Sequence, residues 1–153
     1  MNPISARLVS GTLGELLVQA RLLQFDVQAA PPLKDSGNDL IAIRGSVMRA
    51  VQVKATEGDC YVLPDEGKKY HILAAVRLVG EGREVWLDKC EIFLIRKEEL
   101  IDLPRQFSRI AELKLSPERI DELFPRDEEA PSADHRGFRR QTAGHRPLPA
   151  PSA

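Results

Sequence analysis

The order of elements predicts an α/β domain: a mixed central β-sheet flanked by helices. Four observations carry this. An apolar-striped helix comes first, a strand-rich middle follows, and short helical segments close the ordered part. A tight Gly45-Ser46 turn between two apolar runs, "DLIAI" and "VMRAVQVKA", marks a hairpin at the centre of the sheet.

Taken in order, Gly11 to Gln24 reads as a helix. Leu13, Leu16, Leu17, Ala20 and Leu23 form its main apolar stripe. Val18 and Leu22 form a second patch with Glu15 beside them, and Ser10 or Thr12 is the expected cap. Phe25 to Ala30 reads as a short strand that Pro31-Pro32 ends. After the polar loop "LKDSGN", Asp39 to Ile43 and Val47 to Ala55 are the hairpin strands. Glu57 to Tyr70 is polar and bears Gly and Pro, so it reads as a long loop. His71 to Val79, Arg83 to Leu87 and Glu91 to Ile95 are further strands, and "RKEELIDL" is a short helix. Ser116 caps a last helix, with Pro117 at its first position. The ordered domain is expected to span residues 1–125. Residues 126–153 are rich in Pro, Ala and charge and poor in large apolar side chains, which predicts a disordered tail.

Composition narrows the functional classes. The chain has 153 residues, 42% hydrophobic and 29% charged, as in a globular domain with a real core. No apolar run nears the ~20 residues of a membrane helix, and no basic-then-apolar leader opens the chain. Cys60 and Cys90 form no CxxC pair, so a reduced, cytoplasmic setting is expected. A net charge of −1 means that any attraction to nucleic acid must be local.

The hairpin concentrates unusual polar residues. With Gly45-Ser46 as a type II′ turn, Arg44 pairs with Val47 and Ile43 with Met48. Asp39 then lies opposite Gln52. Lys54 emerges on the same face. Ile41, Ile43, Met48 and Ala50 share that face and are expected to lie beneath the Leu-rich helix, which carries Glu15. Such a cluster suits a hard cation, Mg²⁺ or Mn²⁺. Asp39, Gln52 and the carbonyl of Val53 are its expected ligands. Glu15 is placed to hold a nearby water, and Lys54 to serve the attacking water or a phosphate. Each residue also has a plain structural reading: Asp39 capping a turn, Lys54 solvated at an edge, Glu15 exposed on a helix. His71 is expected to be structural, Trp86 to pack, and Lys68, Lys69 and the tail's "HRGFRR" to be solvated.

At these residues the chain resembles the PD-(D/E)XK nuclease superfamily. The resemblance runs from Thr12 to Thr56, through "GTLGE", "GND" and "QVK". In that family a helix glutamate, a strand-opening aspartate and an acidic-x-Lys strand end make the site. Here they correspond to Glu15, Asp39 and Gln52-Val53-Lys54. Gln52 replaces the acidic residue, as in the Gln-x-Lys branch that includes a group I intron homing endonuclease, and Asn38 replaces the family proline. The resemblance implies a restriction-endonuclease-like fold and a Mg²⁺-dependent endonuclease hydrolysing phosphodiester bonds in DNA rather than RNA. Two cuts on a duplex would favour a homodimer. The competing reading is a non-catalytic nucleic-acid- or protein-binding module that keeps the fold.

Overall fold

A computed structural model describes residues 5–34, 37–81 and 84–127. The expected tail, from residue 128 on, lies outside the described residues. Arg126 and Asp127, assigned to that tail from composition, are tied to the fold. Arg126 reaches Asp26 at 3.4 Å. Asp127 accepts from the Ser46 amide at 2.9 Å and from the Ser46 hydroxyl.

Helix α1 spans Ala6–Leu23. Strands β1 (Gln28–Ala30), β2 (Leu40–Arg44), β3 (Val47–Thr56), β4 (Ile72–Arg77) and β7 (Glu91–Arg96) form one five-stranded sheet in the order β1-β2-β3-β4-β7. A two-stranded β5–β6 hairpin (Gly80–Glu81, Glu84–Val85) sits between β4 and β7. The β3–β4 pair is parallel and the other pairs of the main sheet are antiparallel. Three 3₁₀ turns (Lys97–Ile101, Phe107–Arg109, Ala111–Leu113) lead to α2, Pro117–Leu123. The fold is therefore a mixed α/β sheet with helices, as the element order predicts. The hairpin register also agrees: Arg44 faces Val47, Ile43 faces Met48, and Leu40 faces Val51. Gly45 has φ of +55°, the left-handed conformation that such a turn needs.

Several elements differ from the sequence expectation. Helix α1 starts at Ala6, so Ser10 and Thr12 lie inside it rather than at its start. Its end consumes Phe25 and Asp26. The Val27 amide bonds Leu22 O and the Asp26 amide bonds Leu23 O, with Asp26 left-handed at φ 62°. This leaves only three residues for β1. The segment after β7 is 3₁₀ rather than α-helical. The expected strand from Arg83 to Leu87 is the two-residue β6.

The faces also differ. Leu16 and Leu23 are exposed, while Leu17, Val18 and Leu22 are buried. The second patch, beside Glu15, is thus the one that packs. Gly14 decides this, because a Cβ there would lie 2.8 Å from the Ala55 Cβ. Without a side chain at 14, α1 settles onto β3. It covers the Leu40, Ala42, Val51 and Val53 face, joined there by Ile120 and Leu123 of α2. The face expected beneath α1 is the opposite one, and Ile43 and Met48 there are exposed. Farther along that second face, Leu73, Ala75, Phe93 and Ile95 are covered by Tyr61 of the β3–β4 crossover and by Phe107, Ile110 and Leu113.

Candidate active site

Strand lengths create the site. β2 has five residues and β3 has ten, and the last β2–β3 pair is Leu40 with Val51. Beyond it the β2-side edge of β3 has no strand partner among the described residues. Asp39, one residue before β2, fills the start of this gap. Its amide bonds Val51 O at 3.1 Å. Its Oδ2 accepts from the Val53 amide at 2.7 Å and from Gln52 Nε2. The N–H and C=O of one strand residue point to the same edge, so the Val53 carbonyl also faces this gap.

Gln52 is 3% exposed, and its Oε1 is buried without a hydrogen-bond partner among the described residues. A buried amide oxygen left bare is costly, on the order of 1–3 kcal/mol. Lys54 is half-buried, in register with Ala75 on the same sheet face as Gln52. Glu15 comes from α1, on the other face, and reaches the same space around the open edge of β3. Burial first, and the neighbouring Asp39 carboxylate second, push the Glu15 carboxyl above the usual carboxylate range. All four side chains and Val53 line one cavity of about 590 Å³.

The sequence reading therefore found Glu15, Asp39, Gln52, Val53 and Lys54, and the structure brings all five together. It did not single out Ser10, Gly11, Ala55, Thr56, Glu57, Gly58, Val62 and Leu78, which also line the cavity. The apolar "YVL" within an otherwise polar loop was the available signal for Val62. Among the described residues no three or more His, Cys, Asp or Glu cluster as metal ligands. Any cation here would rest on carboxylate, amide and carbonyl oxygens, a donor set that suits Mg²⁺ or Mn²⁺. The bare Gln52 Oε1 fits that group. His71 is exposed and accepts from the Ala50 amide through Nδ1 at 2.9 Å, a structural role as expected. Trp86 is partly buried, with Lys89 Nζ 4.3 Å from its ring centre.

The raised Glu15 pKa has a stability consequence. A carboxyl whose folded pKa exceeds its unfolded value stabilises the fold below the unfolded value. That contribution is lost as pH rises through the folded pKa. Glu15→Gln is expected to raise the melting temperature at pH 8 and to lose this advantage below the ordinary value of 4.5. Melting curves from pH 4 to pH 8 measure it; an unchanged difference across that range would remove the proposed burial strain.

The site and the sheet define the class: a mixed α/β domain with an oxygen-donor cluster at the open edge of its longest strand. Among solved structures the chain is similar to a bacterial homing endonuclease, I-Ssp6803I, with 16% identity and a TM-score of 0.47. The match covers 67% of this chain and 73% of that one. No protein-family model and no curated protein matches the chain. No helix among the described residues is long and apolar enough to cross a membrane.

Proposed function

We propose that this protein is a metal-dependent endonuclease of the PD-(D/E)XK type, from its Gln-x-Lys branch, acting on DNA. The observation that carries the reading is the bare, buried Gln52 Oε1 beside the Asp39 carboxylate, in one cavity with Lys54 and Glu15. Asp39, Gln52 and the Val53 carbonyl would hold a Mg²⁺ or Mn²⁺ ion, with Glu15 on its flank. When bound, such an ion supplies Lewis-acid stabilisation of the charge that grows on the scissile phosphate. The chain's own groups do the rest. The Lys54 ammonium orients the attacking water and offsets negative charge on the phosphate oxygens. The Glu15 carboxylate accepts a hydrogen bond from that water and takes up its proton as the new O–P bond forms. The departing oxygen leaves with a proton from solvent, and no covalent enzyme intermediate forms.

Gln52→Glu tests the reading. If Gln52 is a ligand, the added charge tightens Mg²⁺ binding by roughly tenfold and keeps or raises cleavage of plasmid and branched DNA. If Gln52 only packs, a buried unpaired carboxylate destabilises the fold by several kcal/mol. A Mg²⁺ titration by calorimetry, beside melting curves, distinguishes these. A variant that melts far lower and binds Mg²⁺ no better would overturn the site. Folded wild type that binds DNA but cleaves no nucleic acid would favour the binding module that keeps the fold without the chemistry.

A further inference from the structure

The cavity is larger than its polar end requires. Its volume, about 590 Å³, lies within the ~300–1,000 Å³ typical of small-molecule sites, whereas one water occupies ~30 Å³. Glu15, Asp39, Gln52 and Lys54 account for one part of the lining. The rest mixes polar groups, Ser10, Thr56 and Glu57, with small or apolar ones, Gly11, Val53, Ala55, Gly58, Val62 and the buried Leu78.

Val62 is the unusual member. It is 46% exposed, in a loop, and yet its backbone is held firmly. Tyr61, just before it, is 1% exposed and packs against Phe107. The Tyr61 amide bonds Arg105 O at 3.0 Å. Arg105 returns two bonds to Tyr61 O, from Nε at 3.1 Å and Nη2 at 2.8 Å. An isolated exposed valine needs no explanation. One that follows a buried aromatic anchor and lines a polar cavity is a preformed apolar surface.

Charge limits what can lie there. Among the described residues, the charged groups lining the cavity are Glu15, Asp39, Glu57 and Lys54, and the whole chain carries −1. Duplex DNA presents one negative charge per ~1.7 Å and is normally held by many cationic contacts. This wall supplies one. A strand with an unpaired nucleotide brings fewer phosphates and offers an uncharged base face, which binds apolar and aromatic surfaces.

We propose that Val62, with Ala55, forms a shelf for an unstacked nucleobase adjoining the phosphate held at the Lys54 end. The substrate is then a nucleic-acid strand that is unpaired at the cut, as in a single strand, flap or bubble. This rests on the nuclease reading above and names the substrate of that site.

The test uses the full chain and one DNA sequence prepared as single strand, bubble and perfect duplex. Val62→Ser removes the shelf at an exposed position and should fold normally. Wild type should cut the single strand and the bubble at least tenfold faster than the duplex in Mn²⁺. Val62→Ser should lower kcat/KM on the unpaired substrates about tenfold. Binding of a 2-aminopurine oligonucleotide in EDTA reads the shelf without cleavage, and Val62→Ser should weaken it about tenfold. Equal rates on duplex and single strand, or oligonucleotide binding indifferent to Val62→Ser, would overturn the shelf and leave the nuclease reading standing. Val62-dependent binding with no cleavage of any substrate would support the shelf and overturn the nuclease reading.

Discussion

Lys54→Ala is expected to abolish metal-dependent DNA cleavage, with a fall of at least about 10³ in kcat, or roughly 4 kcal/mol in the barrier. Lys54 is the one cation lining the cavity among the described residues. Its proposed work is done as charge develops on the phosphate, so DNA affinity should change little. It makes no ion pair with another described residue, so its loss should leave stability within about 0.5 kcal/mol. Asp39→Ala should behave differently. It also stops cleavage, but it leaves the Val53 amide and the Gln52 side chain without their acceptor. A stability loss on the order of 1–3 kcal/mol should accompany it. The pair therefore separates a chemical role from a mixed one. Single-turnover cleavage, DNA binding and melting curves on both variants supply the measurements. Cleavage that survives both substitutions would place the chemistry elsewhere.

The centre of this site was legible because a hairpin is a local object. Gly45-Ser46 fixes the turn, and the turn fixes the register that carries the Asp39 carboxylate to the Gln52 amide, with Lys54 two residues on. The face of α1 was not legible from hydrophobicity. Both the Leu13-Leu16-Leu23 side and the Val18-Leu22 side are apolar. The choice between them is made by Gly14 fitting against Ala55, a contact that an apolar stripe does not encode. How Glu15 reaches Asp39 was missed for a related reason. The meeting occurs around an open strand edge, and the edge exists because β3 outruns β2. The region after β7 was misread because distant partners hold it. The Phe107 amide bonds Asp59 O, and the Leu115 amide bonds Ile92 O. Short 3₁₀ turns under such ties have no periodicity of their own.

Arg119→Ala is expected to cost about 3–5 kcal/mol, the largest stability loss among the substitutions considered. Arg119 is 5% exposed. Its Nε and Nη2 donate to Leu94 O on β7 at 3.0 and 2.8 Å. Its remaining donors meet Glu99 and Glu122, which Arg96 also contacts. Removing the guanidinium strands a buried carbonyl and frees two carboxylates from their common cation. The effect should spread, because α2 also carries Asp121, which holds Arg44 at 2.6 Å near the tip of the β2–β3 hairpin. Arg44 itself is buried and bonds Phe124 O at 2.8 Å. Loosening α2 thus loosens the hairpin whose far end bears Asp39 and Gln52. The melting temperature should fall by more than about 10 °C. Cleavage should recover on cooling, since no group at the cavity is altered. Arg119→Lys should recover only part of the loss, because an ammonium cannot span the Leu94 carbonyl and both carboxylates in the same fork. A melting temperature within about 3 °C of wild type for Arg119→Ala would show that apolar packing alone seats α2. The hairpin would then owe its position to α1 and Gly14.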